Sequence, residues 1–421
     1  MAAIQNLAEP WAGHTFEEIE DFVNTQLDEI DEILDEYQYQ KCVEQYFTFE
    51  AISNDTTIKF YCYSSSEATR TIQVSTDYGT SWTSKTSSSS GTILATLNIG
   101  EKLLVKGTNA SYTYYSDEEG TYVSAGQFLP DHDCYVYGNV MSLIAGDDFA
   151  IADTISGTYA LSKIFSDDFT QGYGETILSS EGKEKQLVLP ATTLSDYCYY
   201  QMFQGCTALT LAPKLPATTL AGHCYDSMFA DCSALVVSPE LPATTLAEGC
   251  YYGMFENCTS LTAAPELPAT TLDTYCYESM FHGCTSLASA PALPATTLTN
   301  YCYYGMFYNC TSLTTAPALP ATTLAADCYN RMFSGCTALT TAPVLSVVTL
   351  DTRSYERMFY GCSSLTYIKA MFGTTPGNNY TKEWVSGVAQ NGTFVKNASA
   401  TWNNRGVNGV PDAWTIETAT E

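Results

Sequence analysis

The sequence predicts a multidomain protein with an N-terminal α-helical coiled-coil segment, an all-β spacer domain and a C-terminal solenoid of 26-residue repeats. Three observations lead to this prediction: repetition at a fixed period in the second half, apolar residues at heptad spacing near the N-terminus, and alternating β-competent runs between them. The predicted domain ranges are 1–42, 43–138, 139–188, 189–370 and 371–421.

The hexapeptide LPATTL marks the start of each repeat. It begins at Leu189, Leu215, Leu241, Leu267, Leu293 and Leu319, with a decayed copy, LSVVTL, at Leu345. Each unit continues with a cysteine, a tyrosine, Met-Phe, a second cysteine and T/S-A/S-L. In the first unit a short helix would place Cys198, Met202 and Phe203 on one face, and the stretch around Leu209 is β-competent. One short strand and one short helix per unit is the leucine-rich plan.

Degenerate units are expected at both ends of the array. Ser354 stands where the last unit should have its first cysteine, and residues 160–168 align with a repeat but lack both cysteines. Such units are typical of the caps that shield the open ends of a repeat array.

The strings LPATTL, YCYYGMF and NCTSLTTAP resemble the BspA-type leucine-rich repeats of gut Bacteroidales surface proteins and of phages that infect those bacteria. Motifs near Trp384, Phe394 and Trp402 are similar to the closing module of such proteins, so the resemblance spans about residues 139–415. It implies a role in surface recognition and says little about any one ligand.

Residues 15–37 read as one helix with a capping box at Thr15 and Glu18. Its apolar seam predicts oligomerisation, most simply as a trimer, and contains Phe16, Ile19, Val23, Ile30, Ile33 and Tyr37. An amphipathic helix docked on the chain's own β domain is the alternative. The segment EPWAGHT just before the helix resembles N-terminal attachment segments of phage fibres.

Residues 43–138 are predicted to form a small β-sandwich. Within it, the run from Ser75 to Trp82 fits the Asp-box pattern S-x-D-x-G-x-x-W. Asp77 and Gly79 would supply the turn geometry of a hairpin, with Trp82 packing beneath it. A single copy of this motif is interpreted as a structural turn, because the clustered arginines of a sialidase are missing.

The thirteen cysteines of the array are predicted to be reduced, buried thiols. They recur at i and i+8 in each unit, without the C-x2-4-C spacing or the partner histidines of a zinc site. Cysteine is a small apolar residue that fits where successive coils stack.

No enzymatic chemistry is predicted. The four histidines, His14, His132, His223 and His282, lie in separate regions, and no phosphate loop, nucleophile elbow or metal signature occurs. A formal net charge of −29 disfavours nucleic acid, and no apolar run predicts a membrane span or a secretory signal. We therefore expect no catalytic residues, metal or cofactor.

Two rows of side chains are candidate ligand-binding surfaces. The first lies two places after the first cysteine, where exposed aromatic and acidic side chains could stack on sugars: Tyr200, Asp226, Tyr252, Glu278, Tyr304, Asn330 and Glu356. The second is a strand row of small residues: Thr210, Val236, Thr262, Ala288, Thr314, Thr340 and Thr366. The sequence does not choose between them.

These features together favour a phage virion fibre or appendage protein that recognises a bacterial surface glycan or protein through the solenoid. Residues 1–42 would join it to other virion proteins. The alternatives are a BspA-like cell-surface adhesin of a gut bacterium and, from another class, a glycan-degrading enzyme that is targeted by its repeats.

Overall fold

The computed structural model describes Thr15 and residues 24–25, 30, 33–34, 36–63, 69–116, 121–166, 177–178 and 185–419. Short strands dominate its regular structure. They are β1 (Phe47–Ala51), β2 (Thr56–Tyr61), β3 (Thr71–Ser75), β4 (Thr83–Thr86), β5 (Thr92–Leu97), β6 (Lys102–Gly107), β7 (Thr113–Ser116), β8 (Thr121–Ser124), β9 (Gln127–Pro130), β10 (Cys134–Asn139), β11 (Ile177–Leu178), β12 (Leu187–Val188), β13 (Tyr367–Ala370), β14 (Thr393–Lys396) and β15 (Thr415–Thr418).

The N-terminal β domain consists of two small sheets and a hairpin. The larger sheet has the order β11-β10-β1-β6-β3-β4, with β12 also paired to β10. The smaller sheet has the order β5-β2-β9, and β7 pairs with β8. Phe49 of β1 and Phe60 of β2 both contact Phe128 of β9, with ring centroids 5.4 and 5.1 Å away. The two sheets therefore share an aromatic core, and the larger sheet includes β11 and β12, which lie outside the predicted range 43–138.

The Asp-box forms the turn between β3 and β4, as predicted. Ser75 Oγ donates to Asp77 Oδ1 at 2.6 Å, and the Ser81 amide donates to the same oxygen at 2.9 Å. Hydrogen bonds from these two serines lower the pKa of the exposed Asp77 carboxyl to about 2. Trp82 packs edge-on against Tyr46, with Lys106 Nζ 4.2 Å from the Trp82 ring. The motif is a structural turn.

The predicted N-terminal coiled coil is wrong for the described residues. Helical backbone covers residues 36–43 (α1) and the described residues before it at 24–25, 30 and 33–34, and a second short helix, α2 (Ser142–Ala145), continues as a 3-10 turn over Gly146–Ile151. Ile33 at the predicted seam is 68% exposed, and nothing in the described chain packs it into a coiled coil. The other seam positions that are described, Ile30 and Tyr37, are also exposed. Phe16, Ile19 and Val23 lie outside the described residues.

The predicted helix in each repeat is also wrong. Residues 189–370, all of which the structure describes, contain turns, isolated parallel bridges and the strand β13 at their end, with no helix. No continuous sheet closes these units into the expected solenoid with a strand and a helix per repeat. We call residues 189–370 the repeat stack.

A division of backbone hydrogen bonds explains why no helix forms. In the third repeat the amides of Tyr251 and Phe255 donate to the carbonyls of Cys276 and Met280 in the next repeat, at 3.1 and 2.9 Å. The Gly253 amide likewise donates to the Glu278 carbonyl of the next repeat at 2.8 Å, whereas the Met254 amide closes a turn inside the repeat by donating to the Tyr251 carbonyl at 3.3 Å. In an α-helix each of these amides would donate to a carbonyl of the same segment, four residues earlier. Here alternate amides join one repeat to the next.

Every fourth residue of this turn segment adopts a left-handed backbone. In the first repeat these residues are Tyr197, Gln201 and Gly205, with φ between 52° and 76°. The same three positions recur in later repeats, for example at Tyr275, Ser279 and Gly283 in the fourth. Isolated left-handed residues interrupt a right-handed helix after each turn. They also rotate alternate amides toward the neighbouring repeat.

Identical side chains stack into columns that hold the repeats together. The invariant tyrosines from Tyr199 to Tyr355 stack with ring centroids 5.6–5.9 Å apart. The phenylalanines from Phe203 to Phe359 stack at 5.4–5.9 Å. Phe165 extends the second column into the β domain, because it lies 5.4 Å from Phe203 and 5.7 Å from Phe47. One core therefore runs from the β domain through the repeats.

All sixteen cysteines are buried, so the predicted burial is confirmed. The second cysteine of each unit from Cys232 onward donates its S–H to the phenylalanine carbonyl of the preceding repeat, as from Cys258 to Phe229 at 3.1 Å. Burial raises the pKa of the Cys258 thiol well above its usual value. The thiols are structural donors and apolar spacers.

The inter-repeat hydrogen bonds continue at both ends. The Phe165 amide donates to the Met202 carbonyl at 3.1 Å, so the degenerate unit before the array pairs with its first repeat. At the other end the Phe359 amide donates to the Trp384 carbonyl at 2.9 Å. There β13, β14 and β15 form a parallel three-stranded sheet that covers the last repeat.

Replacing Ser354 by cysteine should stabilise the protein by about 1 kcal/mol, because the buried Ser354 hydroxyl has no hydrogen-bond partner. The reverse change one repeat earlier, Cys328→Ser, should destabilise it by a similar amount. Chemical denaturation of the two variants measures both effects. A less stable Ser354→Cys variant would show that the hydroxyl is preferred at this end of the column.

Candidate recognition surface of the repeat stack

The predicted strand row lies on an exposed face. All seven of its residues are exposed, and Val236 is 45% accessible. The Val236 amide donates to the Thr210 carbonyl at 3.2 Å, and the Thr366 amide donates to the Thr340 carbonyl at 2.9 Å. Isolated parallel β-bridges, such as that between Leu211 and Val237, join the residues that directly follow this row in the chain. The row therefore presents threonine hydroxyls and small apolar groups on a regular backbone.

The predicted aromatic and acidic row is not the uniformly exposed surface expected. Asp226, Asn330 and Glu356 are buried, whereas Tyr200, Tyr252, Glu278 and Tyr304 are partly exposed. The expectation placed this row on the outer face of a helix. In the observed turns the same position lies close to the left-handed residue, where neighbouring side chains cover part of it.

A third column, which the sequence analysis missed, lies just before the first cysteine. Tyr197 stacks on His223 at 4.7 Å, and Tyr275 stacks on Tyr301 at 5.0 Å. Later in this column Arg353 Nη2 donates to Asp327 Oδ2 at 2.7 Å. The signal was present in the sequence, since aromatic residues recur at this position. The predicted helix in each repeat did not suggest that these side chains contact the same position of the next repeat.

Ion pairs concentrate at the C-terminal end of this surface. Asp327 is almost fully buried and accepts from Arg353 and from Asn330 Nδ2, the latter at 2.7 Å. Glu356 lies 3.5 Å from Lys382 Nζ. These contacts satisfy the carboxylates between repeats and explain why Asn330 and Glu356 face inward. Asn330 Oδ1 remains without a hydrogen-bond partner.

Glu278, in the predicted row, has a carboxyl with a raised pKa. Burial raises its pKa to about 7, and the nearby carboxylates of Asp226 and Asp327 add to the effect. Its Oε2 atom is buried without a hydrogen-bond partner. Burial also raises the pKa of Tyr252 to about 12, with a further contribution from Glu278. Glu278 Oε2 therefore lacks a hydrogen-bond donor.

Shallow depressions lie at the proline corners of neighbouring repeats. The larger has a volume of about 500 Å³ and is lined by Ala263–Pro268 together with Ser289–Ala292 and Pro294. A second, of about 250 Å³, adjoins it along Pro265, Glu266 and Pro268. The two depressions follow three successive proline corners, at residues 238–242, 263–268 and 289–294.

The histidines pair with nearby carboxylates. His223 Nδ1 lies 2.9 Å from Asp226 Oδ2, and this contact raises the pKa of His223. His282 lies 3.0 Å from Glu256, and His132 lies 2.8 Å from Asp131. His14 lies outside the described residues. Within the described ranges no group of three metal-ligating side chains converges, and no helix is long and apolar enough to span a membrane.

Comparison with known families identifies the repeats. Residues 192–340 and 252–380 match the model of the BspA type leucine rich repeat region, with six copies. These are BspA-type leucine-rich repeats. Their presence indicates a surface or adhesin-like repeat protein. No curated protein and no solved structure matches the chain.

Glu278→Gln should make the BspA-type repeats more stable above pH 7. A carboxyl whose pKa rises from 4.5 to about 7 on folding favours the folded state at low pH, and this contribution is lost as pH rises through that interval. Glutamine has nearly the same size as glutamate but no carboxyl that titrates. Thermal melts at pH 4.5 and pH 8 should show a gain in Tm for the variant only at pH 8. An equal difference at both pH values would contradict the assignment.

Proposed function

We propose that this chain is a fibre or appendage protein of a bacteriophage particle, whose repeat stack recognises a bacterial surface. The observation that carries the proposal is the exposed strand row on BspA-type repeats, which presents a regular face of hydroxyls and small side chains. A repeated frame lets many weak contacts add along the stack. The contact would depend on hydrogen bonding and packing more than on charge.

The low number of basic residues supports this kind of contact. Only Lys214 and Arg331 are basic between residues 189 and 350, in a chain of formal charge −29. Such a surface repels anionic polymers and has few cations with which to hold them. Neutral surface groups, from a glycan or an exposed protein loop, are the partners that it fits.

The phage assignment rests on the N-terminal resemblance. EPWAGHT is similar to the attachment segments of phage fibres, and residues 1–42 would join the chain to other virion proteins. A BspA-like adhesin of a gut bacterium is the second candidate, because the repeats themselves fit either source. Fractionation distinguishes the two, since a virion protein should copurify with phage particles on a density gradient. Recovery with the cell envelope instead would favour the adhesin.

Bulky substitutions on the strand row should weaken adhesion of the full chain to gut Bacteroidales cells. The double variant Thr262→Arg and Thr314→Arg places large side chains on this exposed face and should reduce cell binding at least tenfold. The control, Ile93→Arg and Ile99→Arg, adds the same charge to exposed positions of the β domain and should bind like wild type. Flow cytometry with labelled protein in low and high salt measures both, with little salt dependence expected. Equal binding by both variants would remove the strand row as the contact surface.

We also infer that residues 1–42 associate copies of the chain, with a trimer as the expected state. Ile30 and Ile33 are 52% and 68% exposed, which is costly for a helix facing water. Changing both to serine should convert the oligomer to a monomer in light scattering. Changing the exposed Val236 and Val237 of the repeat stack to serine should leave the mass unaltered. An oligomer that survives the isoleucine changes would place assembly elsewhere.

A further inference from the structure

A two-repeat alternation is present on the turn surface of the stack. The two residues after the invariant tyrosine are Tyr-Gly in the third and fifth repeats and acid-Ser in the second and fourth. They are Tyr252-Gly253 and Tyr304-Gly305, against Asp226-Ser227 and Glu278-Ser279. Glu278 therefore has an aromatic neighbour in the repeat on either side of it.

Four partly exposed tyrosines lie in the turn segments of the repeat that contains Glu278 and of its two neighbours. Tyr275 and Tyr301 stack at 5.0 Å, and Tyr304 lies 5.8 Å from Tyr301. Tyr252 lies in the preceding repeat and interacts electrostatically with the Glu278 carboxylate. We call Tyr252, Tyr275, Tyr301 and Tyr304 the tyrosine platform. Aromatic rings that are partly open to solvent and adjoin polar groups suit flat ligands with both apolar and polar edges.

Hydrogen-bonding groups of both kinds border the platform. Glu278 Oε2 lacks a donor, whereas Arg331 Nη1 donates to the Tyr304 hydroxyl at 2.9 Å. Arg353 Nη2 lies 3.4 Å from the Tyr301 hydroxyl and also holds Asp327. A ligand that both donates and accepts hydrogen bonds could therefore use the carboxylate and the phenol–guanidinium pairs together.

The glycine beside Tyr304 is required neither by the backbone nor by packing. Gly305 has φ of 56°, and Ser279 and Arg331 adopt nearly the same angle at the same position of the adjacent repeats. A Cβ at Gly305 would meet Ser279 Oγ at 3.5 Å and Tyr308 Cβ at 3.8 Å, which are ordinary contacts. Gly305 therefore leaves the space beside Ser279 and Tyr308 without a side chain, and the Arg331 guanidinium lies 5.8 Å from the centroid of the neighbouring Tyr304 ring.

We propose that the tyrosine platform binds a neutral polysaccharide, with hexopyranose rings on the tyrosines and sugar hydroxyls donating to Glu278. This inference rests on the proposed function, because it names the ligand class and the second site that the stack would use on a cell surface. The apolar face of a pyranose packs on tyrosine, and its hydroxyls both donate and accept. The alternation of aromatic and acidic side chains in successive repeats suits a polysaccharide, whose sugar rings are linked in a row.

The charges around the tyrosine platform favour a neutral polysaccharide over an anionic one. Glu278 lies within the electrostatic influence of Asp226 and Asp327, and Tyr304 also interacts with Glu356. Arg331 and Arg353 are already engaged with tyrosine hydroxyls and Asp327. A uronate or sulfate would meet uncompensated carboxylates here, whereas hydroxyl groups would satisfy them.

The experiment measures binding of the full chain to dextran, mannan and laminarin, with hyaluronan and dextran sulfate as anionic probes. Wild type should bind at least one neutral polymer and neither anionic one. The double variant Tyr301→Ala and Tyr304→Ala should lose at least tenfold in affinity. Gly305→Ser should lose at least fivefold while melting within a few degrees of wild type, because serine occupies the matching position at Ser279. Tyr63→Ala, an exposed tyrosine of the β domain, is the control and should bind normally.

Three results would overturn the inference: no binding to any neutral polymer, preference for an anionic polymer, or wild-type affinity in both platform variants. Adhesion to whole cells, measured in parallel, separates this failure from that of the proposed function. If the platform variants lose polymer binding but adhere to cells as wild type does, the inference holds for the polymer and the strand row carries the cell contact. If neutral polymer binds through the platform but no cell is bound, the inference holds and the proposed function fails.

Discussion

The division of backbone amides between neighbouring repeats is the constraint on which the rest of the structure depends. Half of the amides in each turn segment close local turns and the other half bond to the following repeat. This arrangement requires a left-handed residue at every fourth position, which positions such as Gln201, Ser279 and Arg331 adopt despite having side chains. The cost of those conformations is offset by hydrogen bonds that a helix could not make across repeats.

This register fixes every side chain at the same place in each repeat. Tyrosine, phenylalanine and cysteine columns fill the interior, so those positions cannot vary without creating a void or an unpaired polar group. Positions that face outward or lie in the turns vary freely in charge and size. The stack therefore separates a constant core from variable surfaces, which is the property that a recognition scaffold needs.

The β domain is part of the same body as the repeats. Phe165 connects Phe47 to Phe203, and the aromatic column then continues to Trp384. The stack consequently has no open apolar end in the described chain, because the β domain covers one side and the β13–β15 sheet the other. A surface held by this continuous core presents its columns in a fixed arrangement, which favours binding by many weak contacts.

The sequence alone determined the 26-residue period, the buried positions such as Cys258 and the Asp-box turn at Asp77, because these follow from local spacing and side-chain type. It did not distinguish a helix from consecutive turns, since apolar residues at i, i+4 and i+5 fit both. Only the tertiary structure decided this, because the competing hydrogen-bond partners lie 25 residues away. The same long-range pairing buried Asp226 and Asn330 and stacked Tyr275 on Tyr301, which no property of a single repeat could show.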